Sequence, residues 1–258
     1  MKRIMFIVLA LMFLLITAAT CYGGDTQLRD IKKRGVLRVG VKVDVPLFGN
    51  IDLATNEIEG MEIDLARALA KDILGDENAI EFFAVNAKTR GPMLQNGIVD
   101  VIMATFTITE ERRQSYSFSE PYYTDELGIL VRKDSSIMSF ADIDGKIVGV
   151  AQSGTARTAL AAQAQEHGVE LIYKEFANYP EVKAALLSGD VDAFSVDRSI
   201  LRGYIDDETR LLERGFNPQD YGIATRLEGV RWSRRVNTFV LNLKKSGELD
   251  AIISRWGI

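Results

Sequence analysis

Short β-branched runs alternate with helix-period stripes along most of this chain, the pattern of an α/β protein. Residues 36–43 (VLRVGVKV) alternate apolar and polar positions as a strand does. Met61–Leu74 puts Ile63, Ala66, Ala70, Ile73 and Leu74 on one helical stripe, and Gly75 follows as a stop. Residues 80–85 read as a second strand, 90–96 as a short helix stopped by Gly97, and 99–105 as a third strand. Strand–helix–strand–helix–strand implies parallel pairing with right-handed crossovers. The pattern then restarts. Residues 129–132, Ile147–Ala151, 171–176 and 193–196 read as strands, residues 142–143 as part of a short helix, and Ala156–His167 and Tyr179–Ser188 as helices. Two α/β units of about 100 residues each follow from this. A closing helix over residues 247–256 has no partner of its own and is expected to pack back on the first unit.

The N-terminus breaks the pattern. Lys2 and Arg3 precede a stretch from Ile4 to Gly24 without a charge, almost wholly apolar up to Ile16, with Ala18 and Ala19 near its end. That is the layout of a secretory signal, assigned to residues 1–24, with the mature protein in the periplasm. An uncharged run of about 20 residues can also span a bilayer. The small and polar tail of this one (Thr17, Thr20, Cys21, Tyr22, Gly23, Gly24) favours cleavage. Cys21, the chain's single cysteine, follows a poor lipobox in Ala18 and Thr20, so a lipid anchor there is the lesser alternative. Without Cys21 the folded part has no disulfide, and roughly 230 residues suffice to be stabilised by their core. Loss of Lys2 and Arg3 takes the net charge from −5 to −7, which argues against nucleic acid and against anionic lipid as partners.

The residues that catalysis would need are missing. His167, the single histidine, closes an Ala-rich helix and reads as a helix-terminal cation. No Gly-x-Ser-x-Gly elbow, His/Cys metal cluster or P-loop occurs, so no cofactor is expected.

Residues 105–112 (TFTITEER), followed by 118–123 (FSEPYY), resemble the signature of the family 3 extracellular solute-binding proteins, the amino-acid receptors of bacterial ABC importers. GVLRVGV, GMEIDLARALA, LQNGIVD, ADIDGKIVGVAQSGT and VDAFSVD agree in order and spacing, so the resemblance runs from Leu28 to Ile258. VNAKTRGP, FTITEER, SFSEPYY and DAFSVD make the match closest to the aspartate/glutamate-binding branch. Met61 departs from the aromatic usual after Gly60 and is read as tolerated packing. The resemblance implies a type II periplasmic-binding-protein fold: two lobes, each a mostly parallel sheet flanked by helices, with the ligand in the cleft. Its hinge crossings fall near residues 125–130 and 217–223, giving lobe 1 as 25–127 plus 220–258 and lobe 2 as 128–219.

Site residues also come from the resemblance. A free amino acid carries an α-carboxylate, an ammonium and a side chain, and a closed cleft must pair each charge. Arg112 is expected on the α-carboxylate as a bidentate fork, helped by donors of Thr105 and Thr107. Its residue-level alternative is a solvated arginine beside Glu110, Glu111 and Arg113. Asp197 is expected on the ammonium, at a C-terminal strand end, or as the N-cap of a helix over residues 198–204. Arg90 and Lys42 match positions that contact a distal carboxylate, although Lys42 on its own also reads as a surface residue. Gln152 and Thr155, before a helix N-terminus, and Tyr179 would reach the ligand from lobe 2, with edge packing the plain alternative for Tyr179; Phe48 is expected either on the ligand's aliphatic part or in the core. The expected partners are L-aspartate or L-glutamate and an integral-membrane ABC permease, with the receptor a monomer and not an enzyme. Glutamine or cystine as ligand, a cyclohexadienyl or arogenate dehydratase on the same fold, and a second task as an adhesin are the alternatives.

Overall fold

The computed structural model describes residues 26–258; the expected signal over 1–24, with Cys21, lies outside the described residues. Helix α1 (Gln27–Arg34) leads into β1 (Leu37–Val41), followed by β2 (Asp44–Val45), β3 (Gly49–Ile51), β4 (Ile58–Glu59), α2 (Met61–Leu74), β5 (Ile80–Ala84), α3 (Arg90–Gln95), β6 (Val101–Met103), α4 (Glu110–Arg113) and β7 (Tyr116–Phe118). The long strand β8 (Tyr123–Arg132) opens a second body: a 3-10 turn (Phe140–Ile143), β9 (Ile147–Ala151), α5 (Ala156–His167), β10 (Ile172–Phe176), α6 (Tyr179–Ser188), β11 (Ala193–Asp197), α7 (Arg198–Arg202) and β12 (Thr209–Leu211). Strand β13 (Phe216–Tyr221) returns the chain to β14 (Ala224–Arg226), α8 (Val230–Ser246) and α9 (Glu248–Arg255).

Among the described residues, β5-β1-β6-β14-β7 form a five-stranded sheet and β10-β9-β11-β8-β12, with β13 on β8, a six-stranded one. In each sheet the strands joined by helices run parallel: β5, β1 and β6 in the first, β10, β9 and β11 in the second. Antiparallel strands complete both, so the sheets are mixed where the crossovers end. The two lobes are joined by β8 and β13, which pair antiparallel from Phe216↔Leu127 to Tyr221↔Tyr123.

Each parallel triplet follows from alternating burial and helix stops. Leu37, Val39 and Val41 are fully buried, and α2 covers them with Leu65, Ala66, Leu69 and Ala70. It ends where Gly75 takes φ 84° and donates its N–H to the Lys71 carbonyl at 2.8 Å. The sequence pattern predicts no element between Ile223 and the closing helix. The structure places α8 there, the longest helix among the described residues, with Trp232, Val236, Phe239, Val240 and Leu243 buried on one face. Its arginines and lysines mask that stripe in a hydropathy reading. The closing helix is Glu248–Arg255 and packs on α8 and α2 as expected; Arg255 and the Trp256 indole both donate to the Asp64 carboxylate, at 2.8 and 2.9 Å.

Gly60 sets the start of α2. Its φ of 138° is a glycine conformation, and a Cβ there would stand 2.2 Å from the Phe48 carbonyl oxygen. Gly60→Ala is therefore expected to destabilise the fold by about 3 kcal/mol or more, read as a lower urea midpoint at unchanged m-value.

Candidate functional site

Strand ends make the site. The C-terminal ends of β6, β9 and β11 deliver Thr105, residues 153–155 and Asp197 to the cleft, where open α/β sheets place ligands, while Lys42, just after β1, lies outside the lining. A narrow enclosed space between the lobes is lined by Arg90, Thr105, Thr107, Thr155, Tyr179 and Asp197. It adjoins a wider outer cleft lined by Thr107, Arg112, Ser153, Thr155 and Gln219.

Arg90, the first residue of α3, is buried and turns its guanidinium back to the turn after β6. There it donates to the carbonyls of Ala104 at 2.5 Å and Thr105 at 2.9 Å. Thr105 holds φ +46°, and its carbonyl and N–H are taken by Arg90 and Glu62 respectively. Arg112 donates to the Thr107 carbonyl at 2.8 Å and, across the cleft, to the Ser153 carbonyl at 3.1 Å. Both guanidinium groups lie over the Phe106 ring, 4.2 and 4.7 Å from its centroid. Arg112 is thus half-buried rather than solvated, and burial, with Arg90 nearby, lowers its pKa to about 9.

Lys42 is 1 % exposed, which rules out the surface alternative. It pairs with Asp44 at 2.9 Å and lies 4.5 Å from the centroid of the Tyr179 ring, contributed by the other lobe. Burial pulls its pKa down, opposed by Asp44. Asp197 ends β11 and makes no capping hydrogen bond to α7. Its Oδ1 is buried without a hydrogen-bond partner among the described residues. Burial, reinforced by Asp125, pushes its pKa up to about 7. A buried carboxylate in that condition at the mouth of a strand is poised for a cation.

Thr155 donates to the Gln219 side-chain carbonyl at 2.7 Å and lines the enclosed space. Gln152 is half-buried outside that lining, and its N–H donates to the Phe176 carbonyl at 2.9 Å. Tyr179 is buried, stacked edge-on with Tyr204 as well as facing the cleft, so packing and lining coincide. Phe48 is core, edge-on to Tyr123 and Tyr221, and Met61 is fully buried in the same cluster.

The sequence reading missed Glu62. This carboxylate is fully buried (0 % exposed) in the first turn of α2; Oε1 accepts the Thr105 N–H at 2.6 Å and the Tyr122 hydroxyl. Oε2 has no hydrogen-bond partner among the described residues. Burial pushes its pKa up, while Tyr122, Thr105, Arg90 and Lys42 oppose the rise. The signal was present: Glu62 stands three and four residues from the buried Leu65 and Ala66, on the helix face that packs inward. Also unforeseen are the contacts that hold the lobes together away from the enclosed space. The Tyr204 hydroxyl donates to the Asp44 carbonyl, and Pro46 packs so close to Gly203 that a Cβ there would lie 2.8 Å away.

Residues 37–258 match the family described as bacterial extracellular solute-binding proteins, family 3. The glutamine-binding protein of Geobacillus stearothermophilus is 43% identical over 208 residues, covering 80% of this chain and 78% of its own length. The ABC transporter glutamine-binding protein GlnH of Bacillus subtilis is 36% identical over 270 residues, covering 99% and 97%. An ancestral arginine-binding protein solved with bound glutamine superposes with a TM-score of 0.78 at 34% identity, over 86% of this chain and 98% of that one.

Proposed function

The chain belongs to the family 3 bacterial extracellular solute-binding proteins, and on that premise we propose that it captures a free L-amino acid between its lobes for an ABC permease in the membrane. Arg112 takes the α-carboxylate with the Thr105–Thr107 turn, and Asp197 takes the ammonium. Thr155 and Tyr179 close from lobe 2, with Gln152 beside them. β8 and β13 form the hinge between lobe 1 (residues 25–127 plus 220–258) and lobe 2 (128–219). Closure follows from the higher affinity of the closed state for the ligand. A leader over residues 1–24 and a periplasmic home complete the reading. The names of both relatives, which are those of binding proteins, support a carrier rather than an enzyme.

The side chain read by the pocket is that of aspartate or glutamate. The observation that carries this is the burial of two cations once Arg112 is assigned: Arg90 in the lining of the enclosed space, and Lys42 against the Tyr179 ring that lines it. Glutamine is the second reading. It is favoured by the buried Glu62, which offsets one of those cations, and by the two glutamine-binding relatives.

A thermal-shift panel of the twenty amino acids tests the assignment. A ligand at 100 times its Kd stabilises by about 2.7 kcal/mol. Aspartate or glutamate is expected to give the largest shift. A shift with glutamine and none with either acid replaces the acidic reading by the second one; turnover of prephenate or arogenate would replace the carrier by an enzyme. Arg90→Ala is expected to weaken acidic ligands by about tenfold or more while sparing small neutral ones, measured by calorimetry. Equal losses for all ligands would remove Arg90 from the specificity pocket.

A further inference from the structure

Counting charges through the cleft leaves one carboxylate without an assignment. Lys42 is paired with Asp44, Arg112 is assigned to the ligand's α-carboxylate and Asp197 to its ammonium. Arg90 and Glu62 remain. They converge on one residue from opposite sides: Arg90 donates to the Thr105 carbonyl at 2.9 Å, and Glu62 accepts the Thr105 N–H at 2.6 Å. Each also keeps a buried polar atom, Arg90 Nε and Glu62 Oε2, without a hydrogen-bond partner among the described residues. Glu62 is therefore the group behind the guanidinium whose charge decides how much of Arg90's field a ligand meets.

We propose that Glu62 sets the ligand charge the pocket accepts: a side-chain carboxylate binds together with one proton delivered from solvent to Glu62, whereas a side-chain amide binds with Glu62 ionised. The inference rests on the assignment of Arg90 to the ligand side chain made above. With Glu62 ionised, Arg90 and Glu62 cancel, and a neutral amide completes the site. With Glu62 protonated, the guanidinium is free to pair with a carboxylate, and the protonated oxygen still leaves an acceptor for the Thr105 N–H. No net charge is then buried in either complex.

The charged and titratable groups facing Glu62 are Lys42 beyond β1, Arg90 at the start of α3 and Tyr122 ahead of β8. Tyr122 is held neutral by burial and by Glu62 itself, and Lys42 is tied to Asp44, which leaves Glu62 as the carboxylate of this cluster that can take up a proton. Burial raising the Glu62 pKa acts in the direction the proposal requires. Asp197 also exchanges a proton, but it meets the ammonium of either ligand alike, so the comparison of glutamate with glutamine cancels it.

The test is calorimetric titration of the mature protein with L-glutamate and L-glutamine at several pH values, each in a phosphate and a Tris buffer. In the wild type the glutamate-to-glutamine affinity ratio is expected to fall as pH rises, by up to about tenfold per pH unit over the range in which Glu62 ionises. Over the falling range, glutamate takes up about one proton more than glutamine does. In Glu62→Gln, which keeps an oxygen for Thr105 and Tyr122, the ratio is expected to be flat with pH and, at the alkaline end of the series, about tenfold or more higher than in the wild type. A flat ratio in the wild type, or the same slope in Glu62→Gln, overturns the inference. If neither compound binds either protein, the ligand assignment fails and takes the inference with it; binding of both without a pH-dependent ratio removes the role of Glu62 alone.

Discussion

Arg112→Ala is expected to abolish capture of every L-amino acid, whatever its side chain. The α-carboxylate is common to all of them, and the partner proposed for it sits half-buried over the Phe106 ring, where water is a poor substitute. Removing one member of a desolvated ion pair costs about 3 to 5 kcal/mol, on the order of 100- to 1,000-fold or more in affinity. The same guanidinium also bridges the lobes through the Ser153 carbonyl, so its loss loosens closure as well as contact. Arg112→Lys keeps the charge without the fork and is expected to fall between wild type and Ala. Calorimetry with the best ligand from the thermal panel, backed by an unchanged melting temperature of the unliganded protein, separates lost binding from lost folding. Retention of wild-type affinity in Arg112→Ala would place the α-carboxylate elsewhere.

Asp197→Asn has two expected effects of opposite sign. Binding weakens by on the order of 100-fold, because the ligand ammonium loses its buried counter-charge. The unliganded protein, in contrast, becomes more stable. Burial lifts the Asp197 pKa from 3.8 to about 7. Between those values the folded state carries a proton that the unfolded state has lost, so this group's contribution to stability falls as pH rises through the interval. Above about pH 7 the folded protein holds an ionised carboxylate it disfavours, and Asn removes that burden, by on the order of 2 kcal/mol. Chemical denaturation at about pH 8 reads this directly. A less stable Asn variant there would show that Asp197 is satisfied without a ligand. The same titration gives the wild type a pH profile: below about pH 7 the ligand must displace a proton from Asp197, and affinity falls about tenfold per unit of acidification.

The parallel triplets were legible because strand and helix periods differ and glycines mark the stops: Met61–Leu74, Ile147–Ala151, Ala156–His167 and Tyr179–Ser188 occur with the bounds read from the sequence. Elements whose stability is tertiary were not. β2, β3 and β4 are two or three residues long and carry no period. β8 was read as residues 129–132 and begins at Tyr123, because its polar half is held by β13 rather than by its own pattern. Arg112, Asp197, Arg90, Thr105 and Thr107 came from motif position, and the structure gathers them at one cleft. Glu62 was hidden for the opposite reason. A carboxylate in the first turn of a helix is ordinary, and what makes this one unusual is the Thr105 amide 43 positions later in the chain.

The contacts of Asp44 and Pro46 with Tyr204 and Gly203 bear on how such a receptor diversifies. The Pro46–Gly203 contact is apolar and touches none of the polar groups assigned to the cargo, whereas Tyr204 also packs on Tyr179 and Asp44 also pairs with Lys42. At the first of these, cargo and gate are consequently separable under selection. On the proposed assignment, a lineage can exchange Glu62 or Arg90 to suit a new nutrient while the contact of Pro46 with Gly203 stays constant. Drift at residue 203 is, by contrast, expected to alter the dwell time of every cargo alike, while drift at residue 204 reaches Tyr179 as well.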